Sequence, residues 1–168
     1  MSATATIHTL ENGLTLIIEP MRDVQSAAFS FLVPGGSLHD PAGQNGTAAI
    51  LSDFILRGAG SLDSRQLTAT LDNLGLQRGE TVGIQHLGFS GATVADRLPE
   101  VLSVYGDILQ HPHLPSDQFE ASRDGLEMTL HAMQDEPRQR LMVELRRRCF
   151  PEPWGTPTYG QLEQLPAI

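Results

Sequence analysis

Between Pro34 and Gly60 the chain reads PGGSLHDPAGQNGTAAILSDFILRGAG, a short apolar helical run shut in at both ends by glycine. Within it, Thr47–Arg57 brings Ile50, Leu51, Phe54 and Ile55 onto one broad apolar face. Pro34-Gly35-Gly36 closes the strand-like run Ala27–Val33 just before it, and Gly58 and Gly60 mark its end. A helix tied this closely to a preceding strand has to bury its apolar face against the sheet that strand belongs to.

The rest of the chain repeats that logic. Thr9–Pro20 alternates and then runs apolar through Leu14, Leu16, Ile17 and Ile18, which predicts a strand ended by Pro20. Asn12-Gly13 inside this stretch is a hairpin signal. Asp63 or Ser64 is expected to cap a helix carrying Leu67, Leu71 and Leu74, with Gly75 past its end. Glu80–His86 and Gly88–Val94 read as two antiparallel strands bent near Leu87-Gly88. Arg97–Gln110 places Leu98, Val101, Leu102, Tyr105, Ile108 and Leu109 on one stripe. Ser116 or Asp117 is expected to cap a long helix through Met133, with Phe119, Leu126, Leu130 and Met133 inward. Pro137 starts a further helix with Leu141, Met142, Leu145 and Cys149 inward. Past Phe150 the chain is rich in proline and glycine and holds Trp154. Strands, two helices, strands and then helices make an α+β fold, an antiparallel or mixed sheet with helices packed on one face.

Several stretches, in this order, resemble the N-terminal domain of the M16 family of zinc metallopeptidases (insulinase, pitrilysin and processing-peptidase relatives). His8–Leu14 resembles the family's opening strand, and Gly36-Ser37, Gly46 and Arg57-Gly58 resemble the frame around its zinc-binding helix. Leu71–Gly75 resembles the helix end before its two central strands. His111–Pro115 with Phe119-Glu120, Arg123 and Met133–Pro137 resemble the lead-in and the two ends of its glutamate-bearing helix. Gly155, Tyr159-Gly160 and Glu163 resemble its glycine-marked exit. The resemblance implies the LuxS/MPP-like metallohydrolase fold lacking its last part, residues 1–168 forming one N-terminal domain. It also implies a second, homologous domain beyond residue 168.

In that family the first helix carries His-x-x-Glu-His. The two histidines, four apart, share a helical face and reach one Zn²⁺, while the glutamate serves as general base. Here those positions read Ala49-Ile50-Leu51-Ser52-Asp53. Aligned on the second helix, the third ligand falls on Thr129 and the accompanying acidic position on Ser122. Ala49 has no lone pair to give, Ser52 is no base at neutral pH without a partner, and the lone carboxylate of Asp53 falls short of the three protein ligands of a catalytic zinc site. The resemblance therefore implies no catalytic residue and no zinc in this chain, with zinc held instead by an active partner or homologue.

Three functions follow as expectations. The first is a non-catalytic subunit that pairs with an active M16-type zinc peptidase, or with itself as a homodimer, and binds extended peptide. In the family, peptide adds as a strand to a sheet edge beside the zinc, which points here to Glu80, Thr81, Val82 and Gly83. The second is a divergent zinc metalloendopeptidase using Asp53, Glu127, His131 or His39 as substitute ligands. The third is a structural core subunit of a larger complex.

Bulk properties narrow the rest. A net charge of −9 argues against nucleic acid, whose phosphates it would repel. All eleven basic residues are arginine, and the run Arg146–Arg148 spreads over most of a helix circumference, as a solvated set does. No apolar run approaches the length of a membrane span. Met1–Thr6 lacks the basic and apolar regions of a signal peptide, so the expected location is cytoplasmic, or periplasmic if a leader is missing. The single cysteine, Cys149, forms no internal disulfide and reads as a small buried hydrophobe beside Leu145 and Phe150. His111-x-His113, with prolines at 112 and 115, reads as a rigid structural loop. His39, Asp53 and His131 are the remaining metal candidates, with nothing in their spacing that requires convergence.

Overall fold

A computed structural model describes residues 5–168; Met1–Thr4, part of the stretch read for a leader, lies outside them. β1 (Thr6–Thr9) and β2 (Thr15–Ile18) form the antiparallel hairpin that Asn12-Gly13 predicts. Asn12 Oδ1 accepts a hydrogen bond from Leu14 N at 3.1 Å, and Gly13 takes a left-handed φ of 85°. The strand expected over Thr9–Pro20 is thus a turn followed by β2. Every residue of the hairpin strands is exposed.

The central sheet has three antiparallel strands in the order β3 (Ser26–Pro34), β7 (His86–Val94), β6 (Gln77–Val82). β3 alternates half-buried and exposed, with Phe29, Phe31 and Val33 on the inner side. The bend between β6 and β7 lies at Gly83–Gln85, earlier than the expected Leu87-Gly88. Gly88 sits inside β7 opposite Thr81, where a Cβ would collide with the threonine hydroxyl, so it serves close cross-strand packing rather than a turn.

α1 (Thr47–Phe54) ends three residues before the predicted Arg57. There Leu56 N and Arg57 N donate to Asp53 O and Phe54 O, tightening the last turn to i→i+3 bonds. A two-residue ribbon follows, β4 (Gly58–Ala59) with β5 (Leu62–Asp63). α2 (Ser64–Asn73) opens on a full capping box between Asp63 and Gln66 and ends before Gly75, whose φ is 62°. α3 (Leu98–Gln110) buries Val101, Tyr105 and Ile108 completely, while Leu102 lies on its rim and is exposed. α4 (Phe119–Gln134) begins from a 3-10 turn, Ser116–Gln118, and no side chain caps it, so neither Ser116 nor Asp117 takes the predicted role.

The core gathers Leu67, Leu71 and Leu74 of α2, Leu87 and Phe89 of β7, the α3 stripe, Ile50 of α1, and Leu126 and Leu130 of α4. Tyr105 holds the centre, its ring 4.9 Å edge-on from Phe29 and 6.0 Å stacked from Phe31. Each such fully buried side chain contributes about 1.5–3 kcal/mol. α5 (Pro137–Cys149) departs from expectation: Leu141, Met142 and Leu145 are half or more exposed, and Cys149 is exposed too. Its periodicity is as predicted, but among the described residues only Val143 of this helix turns half-inward.

Candidate functional site

The loop before α1 is fixed from the residue upward by Asp40. Its Oδ2 accepts from Gly46 N and its Oδ1 from Ala48 N, both at 2.8 Å, so one carboxylate satisfies a donor of the first turn and fixes the left-handed Gly46 (φ 114°). Burial raises the Asp40 pKa above the usual carboxylate value, an effect the two backbone donors and His39 offset only in part. The sequence signal was the acidic residue six positions before the loop glycine.

On α1, the positions of the expected zinc motif face α4 and the β6 side of the sheet. Ala49 is buried. Ser52 is buried too, and its hydroxyl donates to Ala49 O at 2.8 Å, so its proton is held by its own helix. Asp53 accepts from Ser122 Oγ at 2.6 Å and from Arg57 Nε and Nη2 at 3.0 and 2.8 Å. Thr129 is exposed on α4, its hydroxyl donating to Gly125 O at 2.9 Å. α4 thus presents Ser122 directly to Asp53. The donor set does not fit a zinc ion: one position has no donor atom, two hydroxyls are turned to backbone carbonyls, and the one carboxylate is bound to a guanidinium.

The substitute ligands are not brought together. Glu127 and His131 pair with each other at 3.8 Å on the exposed side of α4, while Asp53 is engaged by Arg57 and Ser122. Among the described residues no three His, Cys, Asp or Glu side chains gather as a metal group would require. His111-x-His113 has the structural role expected of it. His113 N donates to Gly58 O at 2.9 Å, Gly60 N donates to His111 O at 3.0 Å, and His113 Nε2 lies 2.7 Å from Gly60 O.

β6 lies at the sheet edge beside α1. Glu80 turns with Val82 toward the helix-covered face, where it pairs with Arg78 at 3.0 Å near Tyr105. Burial first, and then the Glu80 charge, push the Tyr105 hydroxyl up to about 12, against a smaller lowering by Arg78. Thr81 points outward and is exposed. Gly83 belongs to the turn rather than the strand, and both its backbone groups are used: its N–H by His86 O and its carbonyl by Ser37 N. Of the four edge residues named from sequence, Glu80, Thr81 and Val82 are on the strand and Gly83 is not.

Residues 16–161 match the family model described as insulinase (peptidase family M16). The chain is 21% identical over 155 residues to an uncharacterized zinc protease of Rickettsia bellii, covering 92% of this chain and 38% of that protein. It is 24% identical over 115 residues to the mitochondrial-processing peptidase subunit beta of Saccharomyces cerevisiae, covering 68% of this chain and 25% of that one. The crystal structure of a peptidase M16 inactive domain from Pseudomonas fluorescens superposes with a TM-score of 0.84 at 15% identity, over 98% of this chain and 40% of that one. The chain thus spans well under half the length of these relatives.

Proposed function

The chain belongs to the insulinase family, peptidase family M16, and we propose that within it this protein is a silent member that binds extended peptide and pairs with an active zinc-bearing homologue. The observation that carries this reading is the state of the α1–α4 contact. The helix that would carry the zinc motif keeps its turns, its Asp40 cap and its place beside the β6 edge, while the ligand positions hold Ala49, Asp53 and Thr129 and the base position holds Ser52. Asp53 is committed to Ser122 and Arg57 rather than left to a metal. A sheet edge of this kind offers backbone donors and acceptors to an added strand whether or not hydrolysis follows. A similar solved structure is described as an inactive M16 domain, and one relative is a subunit of a processing peptidase; both support the reading by likeness.

The test is a metal analysis of the purified chain combined with co-expression beside a homologue that carries intact His-x-x-Glu-His. The expected result is no stoichiometric zinc in this chain and a stable complex with that homologue. Tightly held zinc at one per chain, or chelator-sensitive peptidase activity of this chain alone, would overturn it.

A further inference from the structure

The pleat of the central sheet decides which residues of the β6 edge an added strand would meet. Gly83 N donates to His86 O, so these two residues form a hydrogen-bonded pair at the β6–β7 turn. In an antiparallel ladder bonded and non-bonded pairs alternate, which makes Thr81–Gly88, Gly79–Ser90 and Gln77–Ala92 the bonded pairs. The other side of β7 agrees. Gln85 O accepts from Gly35 N and Gly36 N, and Ala95 N donates to Gln25 O, so odd-numbered residues of β7 bond toward β3 and even-numbered ones toward β6. The N–H and carbonyl groups of Arg78, Glu80 and Val82 therefore point away from β7, and among the described residues they form no hydrogen bond. At the Val82 end the edge is closed. Ser37 N and Leu38 N, of the 3-10 turn Ser37–His39, already bond Gly83 O and Ile84 O.

Directly opposed residues of an antiparallel pair share a face, and the Cα atoms of a bonded pair stand about 5.5 Å apart. Arg78 and Glu80, two residues apart, share the helix-covered face with Val82, whereas Thr81 faces outward. The side chains that meet an added peptide are therefore those of Glu80 and Arg78. Their own pair uses Glu80 Oε1 and Arg78 Nη1 at 3.0 Å, which leaves Glu80 Oε2 and Arg78 Nη2 without a partner among the described residues. Asp53 and Arg57, the charged pair of α1, neutralise each other. We propose that the β6 edge selects peptide by charge order, with a basic residue opposite Glu80 and, two residues later, an acidic one opposite Arg78. This deepens the peptide-binding reading of the edge and rests on it. Direction sets the order, because β6 runs from Arg78 to Glu80 and an antiparallel partner meets Glu80 first. Both pairings in this sheet are antiparallel, the arrangement that is more stable per residue. The four charges then alternate, so the Arg78–Glu80 bond is extended rather than broken. Opposite charges across a strand pair stabilise it, and like charges destabilise it.

Fluorescein-labelled peptides of about ten residues, blocked at both ends and rich in threonine and valine, are titrated with the full chain and followed by anisotropy. One carries Lys-x-Asp at its centre, a second Asp-x-Lys with the same composition, and a third the neutral Gln-x-Asn. Lys-x-Asp is expected to bind at least about fivefold more tightly than Asp-x-Lys, a gap that closes as salt rises. The exchange Arg78→Glu/Glu80→Arg, which keeps the pair, should invert the preference. Glu80→Gln should narrow it, and Thr81→Val, on the outer face, should leave it unchanged. Circular dichroism checks folding, and Glu80→Gln decides alone if the exchange variant does not fold. Equal affinity for the two charged isomers, tighter binding of Asp-x-Lys, or a preference untouched by Glu80→Gln overturns the charge order. Binding of Gln-x-Asn in those cases leaves the peptide-binding reading standing. Failure of all three peptides to bind overturns both.

Discussion

Ser122 Oγ donates to Asp53 Oδ2 across the α1–α4 interface at 2.6 Å, a length typical of a hydroxyl bonded to an ionised carboxylate. Ser122 is 2% exposed, while the Asp53 side chain keeps 55% of its exposure and shares its oxygen with Arg57. The contact between α1 and α4 at this point is a helix-to-helix hydrogen bond.

Removing that bond should cost stability without touching metal content. Ser122→Ala is expected to lower stability by about 1–2 kcal/mol, toward the low end because Asp53 is partly solvated. A double-mutant cycle with Asp53→Ala in urea should return a coupling near 1 kcal/mol; additive single effects would show that the contact carries no energy.

Asp40 should show itself through pH. Its folded pKa lies above the unfolded value of 3.8, so the folded chain binds the proton more tightly. Its share of stability is therefore greatest below 3.8 and is lost as pH rises through the folded value. Asp40→Asn removes this dependence, and the stability of the natural chain relative to the variant should fall over the window just above 3.8. Asp40→Ala, which loses both bonds to the α1 turn, should destabilise at every pH by about 1–2 kcal/mol. Urea midpoints across that range measure both.

The Tyr105 hydroxyl is buried with no hydrogen-bond partner among the described residues. Tyr105→Phe is expected to leave stability unchanged or raise it by up to about 1 kcal/mol, whereas Tyr105→Ala should cost about 3–5 kcal/mol through the cavity left against Phe29 and Phe31. Spectrophotometric titration should show one of the two tyrosines ionising near 12. Since burial favours the neutral form, stability should fall as pH climbs from 10 toward that value, and this component should vanish in Tyr105→Phe.

The β1–β2 hairpin packs on little besides itself and exposes Ile7 and Ile17 at 69% and 65%. Two strands alone are marginal in water. Hydrogen exchange should release the β1 and β2 amides well before those of β7, the central strand, and proteolysis should begin within residues 5–24.

Much of this architecture was legible where one residue decides one local event. Asn12-Gly13 announced the hairpin, a cap at Asp63 or Ser64 the start of α2, and Leu67, Leu71, Val101, Tyr105 and Ile108 the buried stripes. Ser122 was found by alignment on Phe119 and Pro137, and the structure brings it to Asp53. What could not be read depended on a neighbour distant in sequence. Periodicity put Leu141 and Leu145 on one side of α5 but says nothing of whether another element lies opposite. Gly88 looked like a bend because a glycine's need for cross-strand room at Thr81 is invisible without the register. Glu80 was read as part of a polar edge, and only the pleat shows it turning inward with Val82 to meet Arg78.

The clasp between Gly58–Gly60 and His111–His113 joins the exit of α1 to the approach of α4 through backbone bonds and one imidazole. Two helices tethered in this way keep their spacing without an ion bridging them. The separation of α1 and α4 is thereby set by the chain itself, whatever side chains stand at Ala49, Ser52 and Thr129.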